Sequence, residues 1–77
     1  MNATRRKALN TIIDQLEDLK TELEDLLSEE EEYRDNMPEN LQSSERYENS
    51  DRACDSLQDA VYELESSLDS ITEAVDC

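Results

Sequence analysis

Apolar residues recur along two long stretches of this chain at alternating intervals of three and four positions. The first stretch contains Leu9, Ile12, Leu16, Leu19, Leu23 and Leu26. The second contains Cys54, Leu57, Val61, Leu64, Leu68, Ile71 and Val75. This repeat of seven places each set on one side of an α-helix and is typical of coiled-coil packing.

The pattern predicts one helix over about residues 3–34, a tip over 35–42 and a second helix over about 43–76. Pro38, the single proline, disfavours helical geometry at the residue before it and so ends the first helix. The two helices have matching lengths, on the order of 50 Å each, which favours a chain that doubles back. We therefore expect one all-α domain over residues 1–77, an antiparallel helical hairpin with heptad packing.

The segment between the two helices is the part that the repeat does not explain. A short turn of helix over residues 38–42 fits there, and the candidate caps for this turn or for the second helix are Asn36, Ser43 and Ser44. Four apolar or aromatic side chains are expected to close over this tip: Tyr33, Met37, Leu41 and Tyr47.

The apolar stripe of the first helix is wider than one partner helix needs. With Leu9 at heptad position a, position d holds Ile12, Leu19, Leu26 and Tyr33. Ile13 and Leu27 fall at position e, and this third line calls for more than one neighbouring helix. In the second helix, position g holds small residues that let another helix approach closely: Ala53, Ala60, Ser67 and Ala74.

Length and composition point the same way. Seventy-seven residues with three aromatics build only a small core, and chains this short often need a staple or a partner. No histidine is present to bind a metal. We therefore expect a homo-oligomer, with a dimeric four-helix bundle favoured. The candidate oligomer seam consists of Ile13, Leu27, Ala53, Ala60 and Ala74.

The chain is strongly acidic, with 22 acidic residues against 7 basic ones and a formal net charge of −15. Such a chain repels DNA, RNA and anionic membranes and favours basic protein surfaces. Duplex DNA of ~50 Å carries roughly 29 charges, so one hairpin has about half that charge and an antiparallel dimer approaches it. Two interpretations stay open: a surface that resembles nucleic acid, or acidity that serves only solubility or salt adaptation.

The second helix carries acidic residues at intervals of four, although like charges at that spacing destabilise a helix by a few tenths of a kcal/mol per pair. Tyr62 lies among them, outside the apolar seam, and is a candidate interface anchor. The alternative is that Tyr62 packs along a neighbouring helix. The candidate partner-binding residues are Asp51, Asp55, Asp59, Tyr62, Glu63, Glu65, Asp69 and Glu73.

Charges at the helix ends agree with antiparallel packing. The basic triplet Arg5, Arg6 and Lys7 opposes its own helix dipole and is expected to meet acidic residues at the end of the second helix. Those residues are Asp69, Glu73 and Asp76. The acidic run 29–32 is expected to meet Arg46 and Arg52 in the same way.

Catalysis finds no support in the sequence. Without histidine there is no imidazole base, and without glycine there is no phosphate-binding loop or calcium loop. We expect no enzyme activity, no cofactor and no metal site. Cys54 and Cys77 are roughly 34 Å apart on one helix, too far for a disulfide within the chain. Free thiols and the absence of a recognisable signal sequence or membrane span predict a cytoplasmic protein.

The run Asn36-Met37-Pro38-Glu39-Asn40-Leu41-Gln42-Ser43-Ser44-Glu45-Arg46-Tyr47, which leads into an acidic heptad helix, resembles small acidic two-helix proteins of Firmicutes and their phages and mobile elements. The specific part of this resemblance covers about a dozen residues. It implies a bacterial or phage cytoplasm, and no activity is established for that group.

Two functions are compatible with these features. The first is a non-enzymatic acidic module that binds a basic protein surface, in its most specific form a nucleic-acid-mimicking, anti-CRISPR-like inhibitor of a host defence or nucleic-acid-binding protein. The second is a structural or adapter coiled coil that oligomerises or recruits a partner helix through its apolar seam. Direct binding to nucleic acid or to a membrane is not expected in either case.

Overall fold

The chain forms two long helices joined by a short tip. The computed structural model describes residues 1–77: helix α1 spans Ala3–Asp35, a 3-10 turn spans Glu39–Leu41, and helix α2 spans Glu45–Asp76. The helices pack against each other as a narrow antiparallel hairpin with Cα extents of 59 × 15 × 12 Å. The predicted helix ranges lie within two residues of these bounds. The prediction of an all-α chain with two packed helices is confirmed.

Each helix begins at a polar cap. The side-chain oxygen of Asn2 accepts a hydrogen bond from the Arg5 amide at 2.8 Å, at the start of α1. Ser44, one of the three predicted caps, accepts from the Tyr47 amide at 3.3 Å and starts α2. These bonds satisfy amide donors that have no partner within the first helical turn.

The core is a single seam between the helices. Leu27 of α1 packs with Cys54 and Val61 of α2, and Leu23 and Leu57 border this cluster. Cys54, Val61 and Leu68, one heptad apart, are all buried, so α2 presents its predicted a line to α1. No side chain in the molecule is fully enclosed, which is the expected consequence of packing only two helices.

Helix α1 presents a different side to α2 from the one that the repeat predicts. Its d line is at the surface, where Leu19 and Leu26 are 55% and 56% exposed, whereas Leu27 next to them is only 5% exposed. Positions a and e face α2 instead, and the residues on this side are Leu9, Ile13, Leu16, Lys20, Leu23, Leu27, Glu30 and Arg34. The assignment of positions a and d to the seam is therefore wrong for α1.

Polar contacts across the seam give the physical reason for this rotation of α1. Three contacts between side chains join the helices: Lys20 Nζ to Glu65 Oε1 at 3.0 Å, Arg34 Nη1 to Asp51 Oδ1 at 3.0 Å, and the Ser50 hydroxyl, which donates to a Glu30 carboxylate oxygen. Lys20 and Arg34 occupy position e and Glu30 occupies position a. A seam of positions a and d would turn Lys20 and Arg34 away from α2 and leave α2's carboxylates without these partners.

The open end of the hairpin is held by backbone acceptors rather than by the predicted pairs of carboxylates and basic side chains. Arg6 donates from Nε to the Val75 carbonyl and from Nη2 to the Cys77 carbonyl, both at 3.2 Å. The last carbonyls of a helix have no partner within it, so a nearby guanidinium binds them readily. Neither Arg46 nor Arg52 forms an ion pair with the acidic run 29–32; Arg52 donates to the Asn49 side chain instead.

The tip is closed mainly by Met37, which is buried and whose carbonyl accepts a hydrogen bond from Gln42 Nε2 at 3.4 Å. Tyr47, in the first turn of α2, is half-buried. Tyr33 and Leu41, which were also expected to close the tip, lie at the surface. Tyr33 is on the d line of α1, which faces away from α2, and Leu41 is at the end of the 3-10 turn. Neither helix has a stretch long and apolar enough to cross a membrane.

Candidate partner-binding surfaces

The outer side of α2 carries a row of exposed acidic side chains. Six of the eight predicted partner-binding residues lie on it without a cross-helix partner, and we call this set the acidic face: Asp55, Asp59, Tyr62, Glu63, Asp69 and Glu73. The other two predicted residues, Asp51 and Glu65, are bound by Arg34 and Lys20 of α1. They hold the hairpin together and are less available to a partner.

Tyr62 is the most exposed large hydrophobic side chain of the molecule, at 61%. It lies on α2 between Asp55 and Asp69, each seven residues away along the helix and therefore on the same side. A phenol ring offers a large contact area and a hydroxyl at its edge, a combination common at the centre of protein interfaces. The structure thus places an aromatic group inside the acidic face.

Only two basic side chains neutralise acids between the helices. The hydrogen bond from Lys20 to Glu65 raises the pKa of the Lys20 ammonium. The pKa of the Arg34 guanidinium is also raised, chiefly by its hydrogen bond to neighbouring Asp35 and also by that to Asp51. Both groups stay cationic over the physiological range of pH. The rest of the acidic charge on α2 is left without a cross-helix counterpart.

The charge of the hairpin can be compared directly with that of nucleic acid. A net charge of −15 along 59 Å corresponds to a spacing close to that of one DNA strand, which carries one charge per about 3.4 Å. It is less than half as dense as the duplex, which carries one charge per about 1.7 Å. One hairpin therefore has a charge density slightly below that of a single strand.

Each flank of the hairpin carries a groove. One is lined by Glu17, Lys20 and Thr21 of α1 with Glu65, Asp69 and Thr72 of α2. On the opposite flank, Tyr33 at the end of the d line and Ala53 of α2 share a groove whose other lining residues are polar: Glu30, Glu45, Arg46, Asn49 and Ser50. Positions seven apart continue these two lines along the helices. We define the apolar flank as Ile12, Leu19, Leu26 and Tyr33 with Ala53, Ala60 and Ala74.

The predicted oligomer seam is divided between the inside of the hairpin and this flank. Ile13 and Leu27 are on the side of α1 that faces α2, and Leu27 is already buried within one chain. Ala53, Ala60 and Ala74 are half-buried on the apolar flank. Sequence reasoning did not assign the d line to the surface, although the three-line width of the α1 stripe was a signal that one line would be left over.

The two thiols have different surroundings. Cys54 is buried in the seam, and burial raises its pKa, whereas Cys77 is exposed at the end of α2. No group of three or more acidic or cysteine side chains is arranged to hold one metal ion. A scan of protein-family models and searches of curated proteins and of solved structures find no match to this chain.

Proposed function

We propose that this protein is a non-enzymatic interaction module whose acidic face binds a basic protein surface. The observation that carries the proposal is the row of exposed carboxylates on α2, which have no cross-helix partner and surround the exposed Tyr62. Repulsion along such a row costs helix stability, and basic residues at a few of these positions would remove that cost. A basic partner gains attraction along the whole row and a stacking surface at its middle.

The most specific form of this function is mimicry of nucleic acid. The charge spacing of one hairpin, close to that of a DNA strand, supports it. A basic channel that normally accepts a nucleic-acid strand would attract a rod of similar charge density. The partner proposed is therefore a host defence protein or another nucleic-acid-binding protein, encountered in a bacterial cytoplasm, with the gene carried by a phage or mobile element.

The proposal includes self-association into a dimeric four-helix bundle. Its support is the third apolar line of α1, which one hairpin leaves uncovered. A dimer would also double the acidic charge over a comparable length and so approach the density of the duplex.

A matched pair of neutralised variants tests the acidic face. One variant carries Asp55→Asn, Asp59→Asn and Asp69→Asn; the control carries Asp14→Asn, Asp18→Asn and Asp25→Asn on α1, which removes the same charge. Each protein is immobilised, exposed to lysate of a bacterial host, and its bound proteins are identified. Purified candidates are then titrated at salt from about 0.05 to 0.5 M.

We expect the control to retain the partner of the unmodified protein and the α2 variant to lose it, with affinity falling at least tenfold across the salt range. Equal loss in both variants would mean that net charge rather than the acidic face is recognised. Undiminished binding by the α2 variant would contradict the proposal.

A second candidate function is an adapter that recruits a partner helix, and the apolar flank is the observation that favours it. Binding of that kind should change little with salt and should survive neutralisation of the acidic face. It should be lost in Leu19→Gln, which places a polar side chain in the middle of the d line. The two functions therefore give opposite results in the same titration.

A further inference from the structure

We propose that the apolar flank is covered by a second copy of this chain, and that the two hairpins lie antiparallel about a two-fold axis near the middle of α1. The inference rests on the self-association proposed above and names its surface and direction. It assigns the contact to the d line of α1 and the alanines of α2, not to Ile13 and Leu27, which pack within one hairpin.

The exposed area of the single chain matches what such an interface would cover. The accessible surface is 5743 Å², whereas a compact monomer of this mass exposes about 4,800 Å². The excess of roughly 900 Å² is close to the ~800 Å² that each partner buries in a stable protein–protein interface. The excess exposed area of the single chain is therefore about the area that one interface would bury.

The d line has the spacing that an isologous contact requires. Its four members are each seven residues apart and cover about 32 Å of α1. A two-fold axis between residues 22 and 23 places Leu19 of one copy against Leu26 of the other, and Ile12 against Tyr33. In a two-fold interface each such contact occurs twice, so all four side chains of both copies are covered.

The α2 side of the flank leaves room for the second α1 helix. Ala53, Ala60 and Ala74 present only methyl groups, and small residues allow close approach of helices. The next positions outward on α2 hold Ser56, Glu63 and Ser70, so one carboxylate of the acidic face, that of Glu63, borders the flank. Two copies can meet here while the rest of each acidic face points away from the other copy.

Charge selects the antiparallel direction. Exposed Arg5 lies on the d line one heptad before Ile12, and it forms no ion pair within the chain. Antiparallel pairing brings it toward the tip of the other copy, where Glu32 and Glu39 are exposed. Parallel pairing would place the acidic tips of both copies side by side, and like charges at that distance repel.

Molar mass in solution tests the surface. We compare the unmodified protein, the flank variant Leu19→Gln with Leu26→Gln, and the control Glu17→Gln with Thr21→Gln on the polar groove, using sedimentation equilibrium over about 1–200 μM. The expected result is twice the chain mass of 8.9 kDa for the unmodified protein and the control. The flank variant should be monomeric, with helical circular dichroism retained at 5 °C.

The alternatives fail in different ways. If the flank variant stays dimeric, self-association stands but uses another surface, and the inference is overturned. If the unmodified protein is monomeric at every concentration, both the inference and the self-association fail. If the unmodified protein is monomeric and needs its apolar flank to bind a helix of another protein, the flank belongs to the adapter function. Binding through the acidic face is tested separately by the Asp variants and survives any of these results.

Disulfide trapping tests the direction. In a Cys77→Ser background, Glu22→Cys places a thiol beside the proposed axis, so antiparallel copies should form a disulfide-linked dimer under mild oxidation. In the unmodified protein, antiparallel pairing keeps the two Cys77 thiols at opposite ends of the dimer, and no rapid crosslink is expected. A rapid Cys77 crosslink in the unmodified protein would indicate parallel hairpins and overturn the inference, whether or not residue 22 also crosslinks.

Discussion

The two helices of the hairpin carry similar heptad patterns but use them differently. Helix α2 buries Cys54, Val61 and Leu68 against its partner and leaves its outer side almost wholly polar. Helix α1 buries Leu27 and leaves Leu19 and Leu26 more than half exposed. One neighbouring helix can bury an apolar stripe that consists of two heptad lines. When the stripe has three lines, one of them stays exposed to solvent.

The difference shows how polar residues decide between two nearly equivalent apolar seams. Burial alone would favour the d line, which is apolar from Ile12 to Tyr33, over the e line, which contains Lys20 and Arg34. The e line is nevertheless the one that faces α2, where Glu65 and Asp51 receive these two cations. Ion pairs at such half-exposed positions add little net stability, but they discriminate between arrangements of similar apolar burial.

The largest expected effect separates two adjacent leucines of α1. Leu27→Ala removes a side chain that is 5% exposed and should lower the free energy of unfolding by about 2–4 kcal/mol. Leu26→Ala changes a residue that is 56% exposed and should cost less than about 1 kcal/mol in the dilute chain. Urea denaturation followed by circular dichroism measures both, and the same chemical change on the same helix makes each the control of the other.

Protein concentration sharpens this test. If a second copy covers the d line, the cost of Leu26→Ala should grow as concentration rises, because the dimer contributes to stability by mass action. The cost of Leu27→Ala should already be large in the dilute chain. Equal losses for the two variants at low concentration would contradict the division of α1 into an inner and an outer apolar line.

The parts of the fold that depend on local chemistry could be read from the sequence, and the rotation of α1 could not. Pro38 and Ser44 act on their immediate neighbours, so the tip and the start of α2 can be predicted from residue type. The line of α1 that faces α2 depends on contacts between residues far apart, such as Lys20 with Glu65. The exposure of α2's carboxylates is a consequence of their periodicity, whereas the pairing of Asp51 with Arg34 is again a long-range contact.

A smaller effect is expected at the start of α2. Ser44→Ala removes the oxygen that accepts from the Tyr47 amide, and the free energy of unfolding should fall by about 1 kcal/mol. Ser43→Ala next to it removes a hydroxyl from a residue that caps no helix, and the free energy of unfolding should change by at most a few tenths of a kcal/mol. Denaturation midpoints of the two variants measure the difference. A larger loss for Ser43→Ala would mean that α2 begins one residue earlier than Ser44 indicates.

The smallest expected effect is a pH dependence that arises in the buried ridge of α2. Burial raises the pKa of the Cys54 thiol above its ordinary value, because the thiolate is poorly solvated in the seam. The folded chain then binds the Cys54 proton more tightly than the unfolded chain, whose thiol titrates near 8.5. The resulting contribution to the free energy of unfolding is complete below about pH 8.5 and is lost as the pH rises through the higher pKa of the thiol in the folded chain.

Stability measured from pH 7 to about 9.5 should therefore decline more steeply in the unmodified protein than in Cys54→Ala, while Cys77→Ala should follow the unmodified protein because Cys77 is exposed. Thiol labelling gives an independent measure: Cys77 should react at least tenfold faster than Cys54 in the folded chain, since reaction needs an accessible thiolate. Equal labelling rates would mean that the buried side of α2 opens to water as readily as the exposed d line of α1. The contrast between the two helices would then describe their average structure but not their dynamics.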